Sequence, residues 1–129
     1  MVDAANVVGS VPDGWWRDRL GAANRLVRRV GSLATAGVSD ERLGTGIRHP
    51  EWIVVVEGKA ARAQPVDGVR VVSASGSGDD AIVEVATGER SRDAQVWVVT
   101  SDRGLRARLA DVDVAAVGTR WLTSRLPVA

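Results

Sequence analysis

Cysteine is absent from this chain of 129 residues, and histidine is nearly absent, because His49 is the only one. Without thiols the chain has no disulfide framework, no thiolate zinc site and no cysteine nucleophile. His49 precedes Pro50 in a polar segment, which favours a loop residue over a catalytic base. A metal site in this chain must therefore be built from carboxylates, with His49 as the only imidazole.

Long apolar runs are also missing. No segment approaches the roughly 18 apolar residues that a membrane-spanning helix requires, and the N-terminus lacks the charged and apolar regions of a signal peptide. We therefore expect a cytoplasmic protein with no membrane partner. The length is that of one domain, which is enough to bury a continuous core.

Charge of one sign is not in excess, since the formal net charge is +1. Bulk charge therefore predicts neither a nucleic-acid nor a membrane partner. All but one of the 17 basic residues are arginine, and five of them crowd one early segment: Arg17, Arg19, Arg25, Arg28 and Arg29. Arginine binds phosphate bidentately and stacks on bases. A GC-rich genome explains the general preference for arginine better than a function in binding does. For the cluster of five, a compositional origin and a phosphate-binding surface are equally open.

Strands and helices are predicted to alternate along the chain. Apolar runs rich in β-branched residues predict buried strands, at residues 52–56, 69–72, 95–100 and, more weakly, 112–117. Apolar residues three and four apart, or an acidic residue at a helix start, predict helices, at residues 15–37, 78–86, 104–109 and 119–126. This alternation is typical of an α/β fold with a mostly parallel sheet and helices on both faces. Residues 127–129 are expected to form a short tail.

Four aspartates occupy the ends of predicted strands or the helix starts that follow them. Asp3 follows the first strand, Asp102 ends a later one, and Asp79 opens the helix after another, with Asp80 beside it. Singly, each is a common cap or turn residue. Jointly they lie at the edge where open α/β sheets bind ligands, which predicts a site for Mg²⁺ or Mn²⁺. Glu57 ends a further strand and is either an additional carboxylate of this site or a solvated strand-end acid.

Tryptophan is the aromatic residue of this chain. Trp15 and Trp16 are adjacent, so on a helix they point about 100° apart and cannot both face the core. An exposed indole beside arginines could stack a base of a single strand, and packing against neighbouring structure is equally open. The other three tryptophans are predicted to fill the core: Trp52, Trp97 and Trp121.

Three segments resemble the PIN-like nuclease superfamily, in particular the NYN branch of YacP-like bacterial proteins. They are residues 2–8, 77–83 and 98–103, in this order and spacing. The resemblance covers nearly the whole chain and implies one nuclease domain over residues 1–129. It also implies a three-layer α/β/α fold with about five mostly parallel strands, and a metal-dependent endoribonuclease that uses metal-activated water on single-stranded RNA.

The resemblance assigns roles to individual residues. Asp3, Asp79 and Asp102 match the metal-binding aspartates, Asp80 is a ligand or a base, and Asn6 orients Asp3 or the substrate. Five residues are predicted to contact the RNA: Asn6, Ser101, Arg17, Arg25 and Arg28. Whether the chain is a monomer or a homodimer stays open.

Two departures from the family pattern concern the metal site. Only Met1 and Val2 precede Asp3, so the first strand is expected to be short. Many PIN-like proteins carry a further acid between the first two strands, and here Asp40 and Glu41 are the candidates. The alternatives to an RNA-processing enzyme are the ribonuclease toxin of a toxin–antitoxin pair, and a catalytically weak RNA-binding or protein-interaction module of the same fold.

Overall fold

A computed structural model describes residues 1–127 of the chain. Within them five parallel strands form one sheet in the order β3-β2-β1-β4-β5. The strands are β1 (Val2–Asp3), β2 (Trp52–Val56), β3 (Val69–Ser73), β4 (Trp97–Val99) and β5 (Ala115–Val117). The predicted α/β class is confirmed, and the sheet is parallel throughout.

The α-helices alternate with these strands along the chain. They are α1 (Ala4–Gly9), α2 (Arg19–Ala36), α3 (Gly78–Arg90), α4 (Arg103–Asp111) and α5 (Thr119–Thr123). Residues 39–50 form a loop between α2 and β2, and this loop contains a 3₁₀ turn at residues 41–43. No helix within residues 1–127 combines the length and apolarity of a membrane span. Of the predicted tail, residues 128 and 129 lie outside the described part of the chain.

The sheet carries helices on both faces, which gives three layers. The apolar residues of α1, α2 and α5 pack on one face, where Val27 and Val54 share a cluster. Those of α3 and α4 pack on the other, where Ile82 and Val55 do the same. Successive side chains of a strand point to opposite faces, so the fully buried β2 contributes to both layers.

β1 is the central strand although it has only two residues. Val2 is paired with Val54 of β2 on one side and with Val99 of β4 on the other. The expected short strand is thus present, and Asp3 stands at the carboxyl edge of the sheet. Its side chain also caps α1, since Oδ1 accepts a hydrogen bond from the Asn6 amide at 3.4 Å.

Helix boundaries differ from the predicted ones where local capping decides them. α2 begins at Arg19 rather than Trp15, because Asp18 Oδ1 accepts the Gly21 amide at 2.9 Å and caps the helix there. α3 is capped by Ser77 rather than by an acidic residue. α1 was not predicted from the sequence.

Candidate active site

Asp3 is one of the few buried polar residues of the core, with 6% of its surface exposed. Its Oδ2 accepts a hydrogen bond from the Thr100 hydroxyl at 3.0 Å. Burial raises the pKa of the Asp3 carboxyl, and the negative charges of Asp79 and Glu57 raise it further. Asp3 is therefore held in one orientation and lies within electrostatic reach of two other carboxylates.

Thr100 connects two of the predicted ligands. Its hydroxyl donates to Asp3 and accepts a hydrogen bond from the Asp102 amide at 3.2 Å. The side chain is fully buried at the end of β4. Sequence reasoning missed this residue, although a hydroxyl that ends an apolar strand just before Ser101 and Asp102 was a usable signal.

Asp102 is the N-cap residue of α4, where the sequence alone allows either Asp102 or Ser101 as the cap. Its Oδ1 accepts the Leu105 amide at 2.8 Å, and the residue is exposed at the carboxyl edge. A capping carboxylate faces the positive end of the helix. Its backbone amide bonds to Thr100, so both ends of the residue are fixed.

Asn6 and Ser101, predicted to contact substrate, form internal hydrogen bonds in this structure. Asn6 Oδ1 accepts the Ser101 amide at 2.7 Å. Ser101 Oγ accepts the Thr119 amide at 3.0 Å. Together they join α1, the loop that carries Asp102 and the start of α5.

Glu57 lies at the end of β2 and holds the start of α3. Its carboxylate accepts the Gly78 amide. A Cβ at Gly78 would lie 2.8 Å from that carboxylate, so only glycine fits there without displacement. The alternative of a purely solvated strand-end acid is thereby wrong, because Glu57 positions the helix that begins with Asp79.

Asp79 completes the group. Burial raises the pKa of its carboxyl, and the charges of Asp102 and Glu57 raise it further. Asp79 is thus coupled to Asp102 and Glu57, and Asp3 is coupled to Asp79 and Glu57. Among residues 1–127, however, no three carboxylate or imidazole side chains already enclose a single ion position.

Asp80 stands beside Asp79 and forms an ion pair with Arg108 of α4 at 2.9 Å. Both side chains are largely exposed. This contact joins α3 to α4 on the surface, where ion pairs contribute about 0–1 kcal/mol.

Asp40, one of the two candidates for a further acid between the first two strands, lies away from this edge. Asp40 accepts hydrogen bonds from Arg42 and, at 2.9 Å, from the Trp121 indole. Trp121 packs edge-on against Trp97 at the amino end of β4, with ring centroids 5.9 Å apart. Asp40 therefore secures the 39–50 loop to α5, and the interpretation of Asp40 as a metal ligand is wrong.

The arginines predicted to contact RNA are exposed. Arg17, Arg25 and Arg28 lie on or before α2, and Arg25 lines a cleft between α1, α2 and α5. Arg19 of the same cluster instead lines a cleft that Glu57 also lines. The sequence alone assigns no separate role to Arg19. Its position in this cleft depends on how the start of α2 packs against the loop after β2, which is a property of the tertiary fold.

Comparison with known proteins supports the fold. No protein-family model and no curated protein matches the sequence. The three-layer parallel architecture is similar to a solved structure, a mutant of Rae1 (YacP) from Bacillus subtilis, with a TM-score of 0.65. The two chains are 18% identical, over 95% of this chain and 70% of that one. At this identity the likeness shows the fold alone. The neighbour is a YacP protein, and the sequence motifs of this chain resemble the YacP-like branch.

Proposed function

We propose that this chain is a metal-dependent endoribonuclease of the NYN, YacP-like type. The proposal is supported by the positions of Asp3, Glu57, Asp79 and Asp102, which end or follow four different strands, and by the contacts that link Asp3 to Asp102 through Thr100 and Glu57 to the start of α3. Helix capping alone does not require these contacts. The fold likeness to Rae1 (YacP) supports the same conclusion.

The donor set suits Mg²⁺ or Mn²⁺. Burial, and then neighbouring carboxylates, raise the pKa of Asp3 and Asp79, and a cation would offset the repulsion among these charges. Mg²⁺ is usually bound through one or two carboxylates with waters and substrate phosphate as its other ligands. An incomplete protein cage is therefore compatible with it, and Asp3, Asp79 and Asp102 would hold the ion.

Three residues of the chain hold the candidate ligands in position. Thr100 fixes Asp3, Glu57 fixes the start of α3, and Asn6 fixes the loop before Asp102. When bound, a divalent cation supplies the charge that activates water and offsets charge on the phosphodiester. Arginines at the start of α2 would contact the phosphates of an unpaired RNA strand.

The test is cleavage of a labelled single-stranded RNA in Mn²⁺, in Mg²⁺ and in EDTA. Asp102→Asn should lower the rate at least about 100-fold, while asparagine keeps the helix cap. Asp111→Asn is the matched control, because it makes the same change at the other end of α4. Equal cleavage by Asp102→Asn and wild type would refute the site.

A second readout does not depend on turnover. An ion that binds only the folded chain raises its unfolding temperature. Mn²⁺ should therefore stabilise wild type and Asp111→Asn, and stabilise Asp79→Asn and Asp102→Asn much less. If the site holds no ion, Mn²⁺ should change the unfolding temperature of all four proteins equally, or not at all.

An RNA-binding module without turnover is the second candidate, because the described carboxylates do not already enclose an ion position. It predicts RNA retention that is independent of metal and no metal-dependent product. A filter-binding assay run beside the cleavage assay separates the two functions.

A further inference from the structure

A cleft of about 370 Å³ opens beside the carboxylates. Trp15 and Arg19 both line it, and the Arg19 guanidinium lies 5.6 Å from the centre of the Trp15 indole. The rest of the lining is mostly small and apolar, including Ala4, Ala23 and Ala60. The cleft therefore combines two flat stacking groups with little steric obstruction.

This cleft adjoins the candidate active site through Glu57. Ala4 directly follows Asp3, Glu57 itself lines the cleft, and Gly76 precedes the cap of the helix that carries Asp79. An occupant of the cleft therefore contacts Glu57 and a residue that directly follows Asp3.

We propose that the cleft binds one unpaired nucleobase of the RNA strand, on the nucleotide next to the phosphodiester that is cleaved. This inference depends on the proposed ribonuclease function. Indole and guanidinium planes are the groups on which splayed-out bases stack. The cleft also falls in the range of roughly 300–1,000 Å³ usual for small-molecule sites.

The charges of the cleft favour a neutral, planar occupant. Its lining carries one cation, Arg19, and one anion, Glu57, so it has no excess charge to select a phosphate or an amine. A base is uncharged, has a flat apolar face and carries donors and acceptors on its edge. A paired base is stacked inside a helix, so the cleft selects an unpaired strand.

The neighbouring tryptophan provides a matched control. Trp16 is 55% exposed and contacts Trp15 edge-on, but does not line the cleft. Trp16→Leu and Trp15→Leu thus remove the same chemical group at adjacent positions. A third variant, Ala5→Leu, keeps Trp15 and fills the cleft from the exposed side of α1.

The experiment measures cleavage of RNAs in which a single abasic nucleotide is moved along the strand. In wild type and Trp16→Leu, one abasic position next to the cut should lower kcat/KM about tenfold or more. Trp15→Leu and Ala5→Leu should lose a similar factor on intact RNA and become insensitive to the abasic nucleotide. Equal cleavage of intact and abasic RNAs by wild type would overturn the base site and leave the nuclease assignment standing.

A binding measurement keeps the inference testable if wild type cleaves nothing. Short single-stranded RNA is titrated in EDTA, with quenching of tryptophan fluorescence as the signal, since a stacked base quenches indole emission. Weaker binding and loss of quenching in Trp15→Leu and Ala5→Leu, but not in Trp16→Leu, support the cleft. The same quenching curve in all four proteins refutes it.

Discussion

Thr100 is the single side chain on which two candidate ligands depend. Its hydroxyl is buried, donates to the Asp3 carboxylate and accepts the Asp102 amide. A buried acceptor that loses its donor costs more than the hydrogen bond itself contributed. The geometry of the site is therefore set by a residue that carries no charge.

Thr100→Val keeps the shape of the side chain and removes the hydroxyl. We expect it to lower the free energy of unfolding by about 1–3 kcal/mol and to reduce RNA cleavage, while Thr100→Ser retains both. Urea denaturation and the cleavage assay measure the two effects. Thr87→Val, on the exposed face of α3, is the control and should change stability by less than about 0.5 kcal/mol. Equal losses in the two valine variants would contradict the bridging role.

At the scale of elements, the start of α3 depends on one close contact. Glu57 accepts the Gly78 amide, and a Cβ at that position would meet the carboxylate carbon at 2.8 Å. The carboxylate can bond to the start of α3 in this position because residue 78 has no side chain, and Asp79 is the next residue of that helix.

Two Gly→Ala variants in the same helix should have opposite effects. Gly78→Ala should lower the free energy of unfolding by about 0.5–1.5 kcal/mol and impair cleavage, because the Glu57 carboxylate must move and its hydrogen bond to the residue 78 amide is lost. Gly88→Ala has no neighbouring atom within 4 Å of the added carbon and should stabilise the helix by about 0.5–1 kcal/mol. Thermal unfolding distinguishes them, and a gain in both would show that the Glu57 contact is not needed.

The 39–50 loop is held by the Asp40 carboxylate, whose pKa is lowered, whereas the pKa values of Asp3 and Asp79 are raised. Hydrogen bonds from Arg42, and then from Trp121, hold the pKa of Asp40 well below its ordinary value of 3.8. Because the folded pKa is depressed, the stabilisation is present above about pH 4 and is lost as the pH falls toward the folded pKa. Acid should therefore loosen this loop.

Asp40→Asn should flatten the acid limb of the stability curve. Wild type exceeds the variant above about pH 4, and the two converge as the pH falls below that value. Urea unfolding at intervals from pH 6 to pH 2 measures the difference, with Asp67→Asn as a control on an exposed residue. Curves for Asp40→Asn and wild type that stay parallel throughout would contradict the assignment.

The elements also show what the sequence could and could not predict. β2 was predicted with its observed bounds because five buried apolar residues define a strand without any tertiary information. The placement of Asp3, Asp79 and Asp102 at one edge followed from the parallel topology. The roles of Thr100 and Arg19 did not, because each depends on contacts between segments far apart in the chain.

Over the whole molecule, two charged regions bear on RNA binding. Carboxylates gather at the carboxyl edge of the sheet, and exposed arginines line the start and outer face of α2. An RNA strand held by these arginines would release counterions on binding. Affinity should therefore fall with salt in proportion to the number of phosphates contacted.

Each contacting arginine should contribute a measurable part of that salt dependence. Arg25→Gln and Arg28→Gln should each reduce the slope of log affinity against log salt by about 0.7. Arg92→Gln, after α3, should leave the slope unchanged. Fluorescence anisotropy of a labelled single strand, in EDTA to prevent cleavage, gives the slopes. Identical slopes in all variants would exclude Arg25 and Arg28 from the RNA surface.

The two-residue central strand also has a consequence for folding kinetics. Val2 must meet Val54 and Val99, which are 52 and 97 residues further along the chain. Such non-local pairings slow folding, because the entropy of closing each loop is lost before any pairing compensates for it. Because β1 lies between β2 and β4, the two halves of the sheet are joined only when both pairings of Val2 have formed, and Asp3 and Asp102 reach one edge only then.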